Sequence, residues 1–322
     1  MTDPLIILAP PRSFTTVVSA VLGQHPQMYG LPEVNLFAAE TMRERAGVIA
    51  QPPWSDHGLL RAVAQIYGGE QTFQTVSLAK KWVKIRGNST CVAVFRLLAE
   101  KVAPRIPVDK SPRTVVRAEY MQRIKRNFPN ARYIHLLRHP RGHGESFKKL
   151  GSMVREIHPV AASQTMAGGF GPMALAAAKR TGAYDHGSDP PVIDFQKTWF
   201  AFHMNIITFL AGVPPSQQCQ IRGEDFLADP DGHLPKIAEW LGLRTDADAL
   251  DAMKHPERSP YSCLGPMNAQ YGNDPGFLMS PALRPSSGAK QKLSLEGPLS
   301  WRPDGRGFTP EVKELAREFG YE

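Results

Sequence analysis

The chain has 322 residues, 42% of them hydrophobic and 21% charged. That balance supports a full core and excludes disorder as the main state. The length admits one large α/β domain or two smaller ones. Lysine and arginine outnumber aspartate and glutamate to give a formal net charge of +8. The surrounding field therefore favours anionic ligands: nucleic acid, anionic lipid or a phosphorylated small molecule.

Three cysteines, Cys91, Cys219 and Cys263, form no CxxC pair, so neither a disulfide framework nor a zinc site is expected. The start, MTDPLIILAP, has no basic segment and too short an apolar run for a signal peptide. No stretch reaches the ~18 apolar residues of a membrane span. A soluble, cytoplasmic protein is expected, with no membrane partner.

Leu5 to Ala9 is a continuous apolar run ending in Pro10-Pro11, the pattern of a buried parallel strand. Arg12-Ser13-Phe14-Thr15-Thr16 then feeds a helix stopped by Gly23 and Pro26. From Asn35 to about Gly87 the pattern is helical, broken at Gln51-Pro52-Pro53, and Ser89 to Val102 reads as another helix. Ile106 to Val108 is a strand running into Asp109-Lys110-Ser111-Pro112, and Thr114 to Asn127 is helical. Ala131 to Leu137 is a clear strand, with Arg138-His139-Pro140 opening the next helix. Residues 151–190 are rich in Gly, Ala and Met and read as an inserted lid or specificity segment, or as a plain flexible connection. Val192 to Val213 reads as one long helix, Gln218 to Arg222 as a strand, and Leu234 to Leu241 as a helix. Residues 255–308 are loop-rich, and a last helix begins at Thr309-Pro310 with Thr309 as its cap. Alternating strands and helices predict an α/β fold, a central parallel sheet with flanking helices.

Two segments carry chemistry. The loop after the first strand joins a helix N-terminus, which attracts anions, to the hydroxyls of Ser13, Thr15 and Thr16 and the forked charge of Arg12. The same composition also suits an ordinary helix cap. GxxxxGK[ST] is absent, which opposes a kinase or nucleotide transferase of the P-loop type. In the second segment, Arg138 ends a strand where open α/β sheets bind ligands, and Ser146 follows in the next helix. Basic residues are scattered rather than gathered on one face, so a nucleic-acid-binding protein is the weaker rival.

These residues carry a resemblance. PPRSFTT resembles the PRSGTT-type 5′-phosphosulfate loop of sulfotransferases that use 3′-phosphoadenosine 5′-phosphosulfate (PAPS). RYIHLLRHPRGHGESF resembles their 3′-phosphate segment, with Arg138 and Ser146 on the motif positions. VDKSPRT, IRGEDFLADP and FTPEVKELAREFGYE resemble further segments of the family, in the expected order. Two positions depart from the pattern: Phe14 stands where glycine is usual, and Gly223 where tyrosine is usual.

The resemblance implies one sulfotransferase domain over 1–322, with a P-loop-like phosphosulfate loop and the 151–190 insert. It implies sulfonate transfer from PAPS to a hydroxyl or amine, with PAP released and no metal needed. Arg12, Ser13, Phe14, Thr15 and Thr16 would hold the phosphosulfate, Arg138 and Ser146 the 3′-phosphate, and Lys290 would come from a late closing loop. Glu33 is the first choice of general base, with helix capping as its alternative role. Lys110 would contact the sulfonate or the acceptor, or else simply pair with Asp109. His203 is a further candidate base, or a buried core histidine. Similarity to sulfotransferases of bacterial secondary metabolism extends to an acceptor that is a small molecule or is borne on an acidic carrier protein. The motifs specify neither that acceptor nor an oligomeric state.

Overall fold

Four apolar residues in a row, all buried, put the first strand at the middle of a sheet. The computed structural model describes residues 3–50, 53–157, 178–179, 181–185, 187, 192–284 and 293–322. Its strands are β1 (Leu5–Leu8), β2 (Met28–Gly30), β3 (Ile106–Asp109), β4 (Arg132–Leu137), β5 (Tyr184–Asp185), β6 (Val192–Ile193) and β7 (Gln218–Arg222). Five of them form one parallel sheet in the order β2-β3-β1-β4-β7. β5 and β6 form a separate antiparallel ribbon.

The helices are α1 (Thr15–Leu22), α2 (Met42–Val48), α3 (His57–Gly68), α4 (Phe73–Lys84), α5 (Cys91–Val102), α6 (Ala118–Asn127), α7 (Pro140–Ile157), α8 (Phe195–Leu210), α9 (Gly223–Ala228), α10 (Pro230–Trp240), α11 (Ala247–Met253), α12 (Pro275–Met279) and α13 (Pro310–Glu318). Side-chain caps start many of them: Thr41, Thr72, Thr90, Asp229 and Asp246 each accept a first-turn N–H.

Successive residues of a strand point to opposite faces, and both faces are covered here. Ile6, Leu8 and Tyr133 join a core with residues of α3, α5, α6 and α8. Leu5, Ile7, Ile134 and Leu136 join a second core with α1, α10 and α11. A third cluster packs Trp199 of α8 against Leu295, Leu299, Trp301, Phe308 and α13. That cluster lays the end of the chain over α7, where a Cβ on Gly144 would fall 2.3 Å from the Trp301 ring.

Three expectations need correction. The helix expected over Val192 to Val213 starts only at Phe195, because Val192–Ile193 pairs with β5. Asp194 breaks the pattern between them: Arg302 and the Trp301 indole bind its buried carboxylate. Asn35 does not start a helix directly; its left-handed φ of 50° leads into one 3-10 turn, Leu36–Ala38. The 35–87 region divides again at Gly69, which has a φ of 79°. α7 continues to Ile157, so the segment expected from 151 begins inside a helix, and most of the rest of it lies outside the described residues. Thr309 stands at the cap of α13 as expected, without a side-chain capping bond.

Candidate active site

The loops that leave the C-terminal ends of the parallel strands meet at one end of the sheet, where open α/β folds bind ligands. Arg12 and Phe14 follow β1, Glu33 follows β2, Lys110 follows β3, Arg138 follows β4 and Gly223 follows β7. The β1 loop is tightly bent. Arg12 has a φ of 71° and Phe14 a φ of 60°, both left-handed, which is costly for a bulky side chain. Phe14 is the N-cap of α1 and supplies no side-chain acceptor. The first-turn N–H groups of α1 therefore keep their capacity for an anion. Ser13 within the loop is fully buried, and its hydroxyl has no partner.

Lys110 lies beside this loop, almost wholly buried. Its Nζ donates to Glu33 Oε1 at 2.7 Å and to Thr16 Oγ1 at 2.9 Å. The Glu33 segment is tied down around it. Glu33 N–H donates to Gly272 carbonyl at 2.8 Å, and Asn35 N–H donates to Ser111 Oγ at 2.8 Å. The Ser111 hydroxyl in turn donates to buried Asp109 at 2.8 Å.

Arg12 reaches across to α7 and α12. Its Nε donates to Ser146 Oγ at 3.1 Å, and its Nη1 pairs with Asp274. Asp274 also caps α12 by accepting from Phe277 N–H. Arg138 Nη1 donates to the Arg12 carbonyl, while Arg138 Nε is buried without a partner. The Arg138 guanidinium lies 4.1 Å over the Phe14 ring. Trp199 Nε1 holds the Arg138 carbonyl at 2.9 Å.

A family model for the sulfotransferase family matches residues 4–247. The chain belongs to the sulfotransferase family. It is thus an enzyme that transfers a sulfonate group. Solved structures agree in fold. The sulfotransferase domain from the curacin biosynthetic pathway superposes with a TM-score of 0.73 at 22% identity, covering 100% of this chain and 99% of that one. The sulfotransferase domain from the Synechococcus PCC 7002 olefin synthase gives 0.70 at 22% identity, covering 100% and 97%. No curated protein matches the sequence.

Electrostatics suit a sulfotransferase that binds anions. Burial lowers the Arg12 and Arg138 guanidinium groups to about 10, and it lowers the Lys110 ammonium, partly offset by Glu33. Carboxylates surround these three cations, Glu33 and Asp109 near Lys110, Asp274 on Arg12, and Glu224 and Glu145 near Arg138, and low local polarity strengthens each contact that an added anion makes with the cations. Burial raises the Asp109 carboxyl to about 6.

The structure thus brings together Arg12, Ser13, Phe14, Thr15, Thr16, Glu33, Lys110, Arg138 and Ser146. His203 lies elsewhere. Its fully buried ring sits 2.8 Å from His135 Nε2 and packs on Trp199 and Phe319. Burial holds it well below the usual imidazole range. Lys290 lies outside the described residues. Among the described residues no group of three or more His, Cys, Asp or Glu could hold a metal, and no helix is long and apolar enough to cross a membrane.

Sequence reasoning missed Asp274. Its only local signal is Asn-Asp-Pro-Gly, which reads as a helix start, and nothing local links it to Arg12. Glu224 and Asp225 anchor structure. Glu224 accepts from His139 N–H and Tyr321 OH, both at 2.9 Å, and Asp225 pairs with Arg222 at 2.6 Å.

Proposed function

We propose that this sulfotransferase takes its sulfonate from PAPS and passes it to a hydroxyl, or an amine, of a small-molecule or carrier-borne acceptor. One observation carries the donor assignment: the buried, partnerless Ser13 hydroxyl and Arg138 Nε sit beside the desolvated charge of Arg12. Such donors are costly unless an anion satisfies them. When bound, PAPS supplies an activated sulfonate whose bond to the 5′-phosphate oxygen breaks as the acceptor oxygen or nitrogen bonds to sulfur.

The protein's part is positioning and charge stabilisation. In this reading the α1 N-terminus, Ser13, Thr15, Thr16 and Arg12 grip the phosphosulfate. Arg138 and Ser146 grip the 3′-phosphate, and their shared contacts with Arg12 make the two subsites contiguous. Lys110 neutralises charge that builds on the leaving phosphate oxygen. Glu33 receives the acceptor's proton, oriented by Lys110 and by its backbone tie to Gly272. His203 is the less favoured base, since its contacts are to His135, Trp199 and Phe319 rather than to the cation cluster. Lys290 and the 151–190 segment would contribute to donor and acceptor binding, and one domain over 1–322 would contain the whole site.

A net charge of +8 favours an acidic carrier over a neutral one. Both solved relatives named above are domains of biosynthetic systems, which supports a role in secondary metabolism. A cytoplasmic location fits that role, and neither nucleic acid nor membrane enters it. The test is PAP release from PAPS with matched acceptors, the same hydroxylated acyl chain free and on a carrier protein. Faster release with the carrier-borne chain supports the carrier reading. Equal rates favour a free small molecule.

A further inference from the structure

Phe14 and Gly223 come from the exits of β1 and β7, and they meet. A Cβ built on Gly223 would lie 2.4 Å from Phe14 Cδ2 and 3.1 Å from Cε2, so no other residue leaves the ring where it is. The same ring also meets Arg138. The Arg138 guanidinium carbon is 4.1 Å from the Phe14 ring centroid, a distance at which a ring face attracts a planar cation. The Arg138 side chain is half-buried, spends Nη1 on the Arg12 carbonyl and leaves its buried Nε without a partner. Both departures from the family pattern, an aromatic at 14 and a glycine at 223, therefore belong to one packing arrangement.

We propose that Phe14 is a positioning residue for the donor site: its ring supports Arg138 with Nε directed to a nucleotide phosphate, and Gly223 makes the room for that ring. This inference rests on the PAPS reading. It makes the two positions a coupled pair, in which an aromatic side chain at 14 is tolerated only over a bare backbone at 223.

The test uses the full chain and four variants: Phe14→Leu, Phe14→Gly, Gly223→Ala and the double variant Phe14→Gly with Gly223→Ala. Melting temperature reports the packing without ligand. Calorimetric PAP affinity and the KM for PAPS against kcat report the positioning. Gly223→Ala should melt lower and bind PAP about tenfold more weakly, because its methyl displaces the ring. The double variant should regain most of the melting temperature but not the affinity. Phe14→Leu keeps an apolar side chain of somewhat smaller volume and should melt closer to the native chain than Gly223→Ala does, while its PAP affinity falls about fivefold through loss of the ring face and kcat changes little. Native PAP affinity in Phe14→Leu would overturn the positioning role. Native behaviour of Gly223→Ala, or no recovery in the double variant, would overturn the pairing. A native chain that binds no PAP would overturn the donor reading itself, while the melting temperatures still report the pairing independently.

Discussion

Lys110 and Glu33 face each other at 2.7 Å, with the lysine almost wholly buried and the glutamate half-buried. Both come from the ends of neighbouring strands, β2 and β3. The lysine is shared with Thr16 of the phosphosulfate loop at 2.9 Å. One ammonium therefore links the proposed base to the proposed donor site. Lys110→Met should lower kcat by about 100-fold or more at saturating PAPS, with a much smaller change in PAP affinity. Single-turnover rates alongside PAP calorimetry separate the two. Loss of PAP binding with an intact chemical step would assign Lys110 to the donor alone.

Glu33→Gln preserves an oxygen for Lys110 and removes the proton acceptor. We expect kcat to fall about 10²- to 10⁴-fold, with PAP affinity and melting temperature near native. Activity close to native would remove Glu33 as base and return attention to His203.

Acid should destabilise the protein through its buried histidines. Burial lowers His135 to about 3 and His139 to about 4, and holds His143 and His203 well below the usual range. Between those values and about 6.5 the unfolded chain binds protons that the folded chain refuses, so stability rises with pH across this window and is lost as pH falls. Asp109 acts the other way. Its carboxyl, raised to about 6, keeps its proton in the fold after the unfolded chain has lost it, so its contribution falls as pH rises from about 4 to 6. Denaturant titrations at pH 7 and pH 5 should show lower stability at pH 5. Asp109→Asn should widen that gap, and His135→Leu with His203→Phe should narrow it. A flat profile in the native chain would contradict the burial of these rings.

Gly144 on α7 leaves room for the Trp301 indole, which also donates to Asp194 at 3.1 Å. Gly144→Ala should cost about 1–3 kcal/mol through overpacking, although alanine favours a helix. An unchanged or raised unfolding midpoint would show that the end of the chain does not pack there.

Local pattern made much of this legible. Leu5 to Leu8 is an apolar run and Arg132 to Leu137 a β-rich one, both legible as strands, and the two loops they feed carry Arg12 and Arg138. β2 has three residues, Met28–Gly30, too few to show a period. Val192–Ile193 looked like the start of a helix because two residues are too few to show a strand period and the Arg302 that binds Asp194 lies far away in the chain. The same holds for Asp274 against Arg12 and for Phe14 against Gly223. Each departure was visible alone; that they answer one another appears only when the exits of β1 and β7 are brought together.

The central claim is a donor site built from Arg12 and Arg138, and calorimetry with PAP, PAPS and Mg·ATP tests it most directly. The native chain should bind PAP in the micromolar range and ignore Mg·ATP, and Arg12→Ala and Arg138→Ala should each lose PAP binding while remaining folded. Binding of Mg·ATP without PAP, or PAP binding indifferent to both arginines, would contradict it.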